Sequence, residues 1–204
     1  MADVTDAADA VVAVISAAVY PNGTGQPSVG NCDIIAYQGW PNPQTLDGDL
    51  ANGKAHISVF PRPGDKITSV MMGDTEWCEH DNNGTTGTSV REVERATKQM
   101  QISVWASTPA LRTAIAKPLD LALRLATRMT LPDGSRAIMT YVNQSERDER
   151  QVVQLYRRDF FFDVNYAVVQ SDAEFTILHT ITNVTGSLNG IAPGPTVTRF
   201  NPAT

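Results

Sequence analysis

The chain has 204 residues, 42% of them hydrophobic and 19% charged, with 14 Gly and 12 Pro; this suits a globular domain with a real core and excludes a disordered, collagenous or coiled-coil chain. Against 16 basic residues stand 22 acidic ones, a net charge of −6, so binding driven by phosphate neutralisation is disfavoured for the molecule as a whole. The first ninety residues carry only Lys54, Arg62 and Lys66 against eleven acids, while 91–204 hold thirteen basic and eleven acidic residues, an asymmetry that suits like subunits meeting through unlike faces.

Residues 3–19 read as a helix: Asp3 caps it, acids crowd the first turn, and Val4, Ala8, Val11, Ile15 and Ala18 share one face. The apolar run 11–19 follows Asp3, Asp6 and Asp9 rather than lysine or arginine, which is not the pattern of a secretory leader. No stretch approaches the roughly 20 apolar residues of a membrane span. The chain is therefore expected in the cytoplasm, without a membrane partner.

Pro21 and Gly23 end the helix, 32–37 reads as a short strand, and 55–60 alternates as another. Between them the run Gln38-Gly39-Trp40-Pro41-Asn42-Pro43 and residues 48–53 read as turns. Residues 61–90, opening with Pro61-Arg62-Pro63-Gly64, read as a long irregular loop with a short strand near 70–77. A strand follows over 91–105, with Met100, Ile102 and Val104 facing one way and Gln99, Gln101 and Ser103 the other.

Thr108-Pro109 is a helix start, a hydroxyl cap followed by proline at the first helical position. The helix 109–129 carries a stripe of Leu111, Ile115, Leu119, Ala122 and Ala126, and Asp120 is placed to pair with Arg124. Pro118 predicts a kink, or two short helices, because it removes one backbone bond and crowds the carbonyl of Ala114. Leu131-Pro132-Asp133-Gly134 is a turn, after which 136–143 and 151–170 form a hairpin with a charged tip at 145–150. In its second strand Tyr156, Phe160, Phe162, Val164, Tyr166 and Val168 make an apolar face, with Arg157, Asp159, Asp163 and Asn165 opposite. Arg157-Arg158 are read as members of cross-strand ion pairs. The remainder, to Thr204, holds one more possible strand, and Ile191, Val197 and Phe200 lack periodicity.

Motifs that carry chemistry are scarce in the sequence. The phosphate loop, the dinucleotide fingerprint and the nucleophile elbow are all absent. Cys78-Glu79-His80, joined by Cys32 or His56, is the best metal candidate, yet it has neither Cys-x-x-Cys nor His-x-x-x-His spacing. The two cysteines read as reduced thiols, His56 as a satisfied strand histidine, and Asp47 and Asp49 as turn residues. No cofactor and no enzymatic activity are expected, and a small metallohydrolase using Cys78 and His80 is the competing class.

Several phrases occur in order: Tyr37-Gln38-Gly39-Trp40-Pro41, residues 46–50, and His56-Ile57-Ser58-Val59-Phe60-Pro61-Arg62-Pro63-Gly64. Later come Gln101-Ile102-Ser103-Val104-Trp105-Ala106, Thr108-Pro109-Ala110-Leu111-Arg112, Leu131-Pro132-Asp133-Gly134 and Leu155-Tyr156-Arg157-Arg158-Asp159. From about residue 4 to 170 the chain resembles the tail terminator and tail completion proteins of long-tailed bacteriophages.

That resemblance implies a small α/β subunit forming a ring, usually a hexamer, that caps the tail tube and joins it to the neck below the capsid. The implied partners are further copies of the chain, the tube protein, the tail sheath and a neck or head-completion protein, with genome DNA passing through unbound. The implied location is the head–tail junction of a virion, reached by assembly in the host cytoplasm. Another neck or baseplate component is the alternative.

The fold expected is α+β: a mixed, mainly antiparallel sheet of about five or six strands with helices 3–19 and 109–129 on one face, a long irregular loop and a C-terminal extension. Residues 1–170 form the domain and 171–204 an interaction arm. Interface candidates are Arg62, Trp77, Arg147, Arg150 and Phe200.

Overall fold

A computed structural model describes residues 2–69, 76–80, 86–150, 155–175, 182–184 and 196–198. Helix α1 (Val4–Val19) begins as its sequence requires: the Asp3 carboxylate accepts the N–H groups of Thr5 and Asp6, and the Asp6 carboxylate accepts the N–H of Asp3. It buries Ala7, Ala8, Val11, Ile15 and Val19. Strand β1 (Ile34–Gln38), helix α2 (Pro43–Ala51) and strand β2 (Ala55–Ser69) follow. Then come β3 (Glu76–His80), β4 (Thr86–Ala106), α3 (Pro109–Leu125), β5 (Arg128–Thr130), β6 (Arg136–Arg150), β7 (Leu155–Phe175), β8 (Thr182–Val184) and β9 (Thr196–Thr198).

The chain divides into two compact units, Met1–Asp74 with Glu92–Gln170, and Thr75–Arg91 with Ser171–Thr204. The second contains the antiparallel pairing of β3 with the start of β4, from Glu76 opposite Arg91 to His80 opposite Gly87, and the short β8–β9 pair. In the first, strand order is β1-β2-β4-β7-β6-β5. The β1–β2 pair is parallel, whereas β2–β4, β5–β6 and β6–β7 are antiparallel. Between β4 and β7, side-chain bonds join Ser103 to Asp159, Gln99 to Asp163, and Thr97 to Asn165. One number rises as the other falls, so this pair is antiparallel too.

The α+β architecture expected from the sequence is the one found. Helices α1 and α3 pack on one face over Ile57, Val59, Met100, Ile102, Val104, Met139, Phe160, Phe162 and Val164, all buried. The alternation places Phe160, Phe162 and Val164 beneath the helices and turns Asp159, Phe161 and Asp163 to the opposite face, as the period of a strand demands. Asp120 pairs with Arg124 at 2.9 Å as expected.

Four local expectations need correction. Residues 61–69 are strand rather than loop: β2 continues past Pro61 through a bulge and rejoins β4 at Asp65 opposite Lys98. Gly64, at φ 92°, supplies the left-handed turn that this insertion needs. The bulge explains how a Pro-Arg-Pro-Gly run survives inside a strand. Residues 70–75 and 81–85 of that expected loop lie outside the described residues.

Where turns were expected at 38–43 and 48–53, residues 43–51 form α2, with the Asn42 side chain accepting the Gln44 N–H and Pro43 at the first position. Helix α3 is one continuous helix through Pro118 rather than two short ones, and it ends at Leu125, short of the expected 129, because Arg128–Thr130 pair with β6 as strand β5. The carbonyl that Pro118 leaves without its usual donor belongs to Ala114, which is exposed, so water can take the lost bond's place. The charged residues 145–150 are the end of β6 rather than a hairpin tip: Ser145 lies opposite Asp159, Arg147 opposite Arg157 and Arg150 opposite Leu155. Residues 151–154, which join β6 to β7 in the chain, lie outside the described residues.

Candidate functional site

The face of the sheet turned away from α1 and α3 carries the unusual chemistry. Because β2, β4 and β7 alternate, burying Ile57, Val104 and Phe160 on one side forces His56, Trp105 and Asp159 to the other. Helix α2 lies over part of this second face, with Leu46 and Leu50 against Trp105. Leu155 packs there as well.

At the centre is a buried ion pair. Asp159 is fully buried and accepts the Ser103 hydroxyl at 2.5 Å and the Arg157 Nε–H at 2.6 Å, all through Oδ1. The Trp105 indole N–H donates to the Ser58 hydroxyl at 3.1 Å, and the Gln101 amide donates to Ser103. The Arg157 guanidinium lies over two indoles, 4.9 Å from the ring centre of Trp40 and 4.7 Å from that of Trp105. Trp40 also meets Phe60 and Trp105 edge-on, yet it is 49% exposed. A half-exposed tryptophan holding a nearly buried arginine is an aromatic-cation arrangement open to an outside group on one side.

The candidate Arg62 borders this face. It is exposed at the β2 bulge, its guanidinium 5.3 Å from the ring centre of Phe161 and its Nη1 donating to Gln99 at 3.4 Å. Arg147 is exposed on β6 directly opposite Arg157. Trp77 lies in β3 opposite Val90, and Arg150 ends β6; their side chains, and all of Phe200, lie outside the described residues. The structure thus brings Arg147 and Arg62 to the face that also holds Trp40, Trp105, Arg157 and Asp159. Those four were not singled out from the sequence as a group. The signal was available in the polar face of β7, where Arg157 and Asp159 stand two residues apart.

Arg158 points the other way, toward the helices. Its Nη1 lies 3.2 Å from Glu146 on the neighbouring strand, and Glu146 also accepts from the buried Arg112 of α3 at 3.2 Å. The cross-strand ion pair expected for Arg158 is present. Arg157 instead pairs two residues along its own strand.

At the α2 end of the second face, His56 is buried with Nε2 3.0 Å from Asp49 and Nδ1 3.2 Å from the Tyr37 hydroxyl. Both ring nitrogens have partners, which is the satisfied histidine the sequence suggested. Asp49 is not a loose turn residue: a hydrogen bond from Lys54 chiefly, and a second from His56, hold its carboxyl below the usual range. Burial, with the Asp49 charge adding, pushes the Tyr37 hydroxyl up to about 12 from 10.0. The fold therefore favours neutral Tyr37. That stabilisation is full below pH 10 and disappears as the pH rises toward 12. Thermal unfolding of the wild type is expected to fall across this window. Tyr37→Phe should show a shallower fall, and an identical slope in both proteins would refute the assignment.

Among the described residues no three His, Cys, Asp or Glu side chains converge on a point that could hold a metal ion. No described helix is long and apolar enough to cross a membrane.

No family model and no curated protein matches the chain. Among solved structures it is similar to the sheath/tube terminator of an extracellular contractile injection system, PVC, in its extended state, with a TM-score of 0.51 and 16% identity. That match covers 94% of this chain and 66% of the other. It is also similar to a chain of the virion of a native gene transfer agent particle, with a TM-score of 0.43, 15% identity, and coverage of 79% and 97% respectively. The likeness to the terminator is one of fold.

Proposed function

We propose that the chain is a structural subunit of a phage-tail-like assembly, a tail terminator or completion protein whose ring closes the tail tube and joins it to the neck. The observation that carries this reading is the fold shared with a sheath/tube terminator over 94% of the chain. The ordered phrases from Tyr37 to Asp159 that resemble phage tail terminators point the same way.

A ring of identical subunits needs two unlike surfaces that fit each other, because a heterologous contact closes only by rotation. The face holding Trp40, Arg62, Arg147 and Arg157 is one such surface. Trp77, Arg150 and Phe200 are assigned to subunit or tube contacts on sequence grounds. The partners are further copies, most simply six, together with the tube, the sheath and the neck protein, at the head–tail junction. Genome DNA passes without being held. The acidic balance of the first ninety residues suits a bore that must not retain phosphates. Asp49 is excluded from such a lining role by its bonds to Lys54 and His56.

Mixing the purified protein with tail tubes and imaging by negative stain tests this reading. Rings seated on tube ends are expected. A protein that leaves the ends bare and the tube length unregulated would overturn it.

A further inference from the structure

Arg157 is held as few arginines are. Its Nε is committed to Asp159 at 2.6 Å, its guanidinium lies over the rings of both Trp40 and Trp105, and its side chain is 15% exposed. Among the described residues its two terminal nitrogens take no partner. These are the atoms that grip a carboxylate in a fork. Asp159 cannot neutralise anything further, because its Oδ1 already serves Ser103 and Arg157 and its Oδ2 is buried without a partner.

Directly opposite Arg157 in the ladder is the exposed Arg147, which no described carboxylate bonds. Like charges facing each other across a strand pair are unfavourable. Two arginines paired across the ladder, one pre-oriented by aromatic rings, form a place where a carboxylate removes a repulsion and gains two charged contacts.

The chain itself supplies a candidate carboxylate on its opposite side. Helix α1 packs on the other face of the sheet, and its outward positions Thr5, Asp9, Ala13 and Ala17 are all exposed. Asp9 is the one charge on that smooth row and has no partner among the described residues. Asp3 and Asp6 are already occupied by the cap. A contact from the α2 face of one copy to the α1 face of the next joins unlike surfaces, as a ring requires.

Resting on the reading of the chain as a ring-forming subunit, we propose that Arg157 and Arg147, with Trp40 as the outer wall, bind the Asp9 carboxylate of a second copy. The site recognises an acidic side chain, and the smooth surface around Asp9 lets the Trp40 wall come close.

The test is self-assembly of the full chain by analytical ultracentrifugation or mass photometry across a concentration series. Arg147→Glu should weaken assembly about tenfold or more, while the subunit's thermal unfolding stays the same or rises, because the new carboxylate faces Arg157. Trp40→Ala should also weaken assembly. Combining Arg147→Glu with Asp9→Lys should restore it, whereas combining it with Asp47→Lys, on the same face as the site, should not. Assembly by Arg147→Glu at wild-type concentrations, or loss of assembly that Asp9→Lys fails to rescue, overturns the proposal. If the wild type assembles with this charge-swap behaviour and yet never caps tubes, the tail reading fails and the site stands. If the wild type caps tubes and Arg147→Glu does so equally well as a normal ring, the site fails and the tail reading stands.

Discussion

Arg157→Ala is expected to destabilise the subunit by about 3–5 kcal/mol in equilibrium urea unfolding at neutral pH, the range for removing one partner of a buried ion pair. Asp159, fully buried, would keep only the Ser103 hydroxyl. It would be left with a desolvated negative charge that has lost the ion-pair partner bonded to it. The indoles of Trp40 and Trp105 would also lose the cation over their rings.

Replacing both members with apolar residues of similar volume, Arg157→Met with Asp159→Leu, should cost much less than Arg157→Ala alone, because no uncompensated charge remains. That comparison separates stability from assembly. The double variant is expected to fold and to assemble poorly, since it has lost the fork that meets a partner. An Arg157→Ala protein as stable as wild type would mean that the carboxylate of Asp159 is not held as described.

Much of this fold was legible in the sequence wherever one physical signal acted alone. The Asp3 cap, the Thr108-Pro109 start and the alternation through 160–166 each have a single local cause, and each element is where that cause puts it. Errors arose where two signals met. Asn42-Pro43 carries the same cap-and-proline start as Thr108-Pro109, but the prolines before it and Gly48 within it read as turn residues. Only the burial of Leu46 and Leu50 against Trp105, a contact distant in sequence, decides for a helix. Pro61-Arg62-Pro63-Gly64 likewise reads as a break, and the ladder to β4 overrides it by letting the extra residues bulge.

The candidate site was legible only in parts. Arg62 and Arg147 were marked by their charge, and the polar positions of β7 by their period. Their meeting with Trp40 depends on the order β2-β4-β7-β6 in the sheet, which no local pattern encodes. Arg147 was marked as part of a turn, whereas its register opposite Arg157 is what gives it a neighbour of like charge.

The three consecutive phenylalanines of β7 give the second large effect. Phe160 and Phe162 are buried beneath the helices, Phe162 meeting the ring of Tyr141 edge-on at 5.5 Å. Phe161 is half-buried on the other face, under the Arg62 guanidinium. Phe160→Ala and Phe162→Ala should each cost about 3–5 kcal/mol, the loss of apolar transfer plus the cavity left in a close-packed core. Phe161→Ala should cost about 1 kcal/mol, because its surface is already partly wet and its stacking on arginine is worth little when exposed. A slip of β7 by one residue against β4 or β6 would exchange these roles, since it turns every side chain to the opposite face. Chemical denaturation of the three single variants therefore reads the register of the central strand directly. A large loss at Phe161 with small losses at its neighbours would place Arg157 and Asp159 on the helix side and remove the Trp40 site with them.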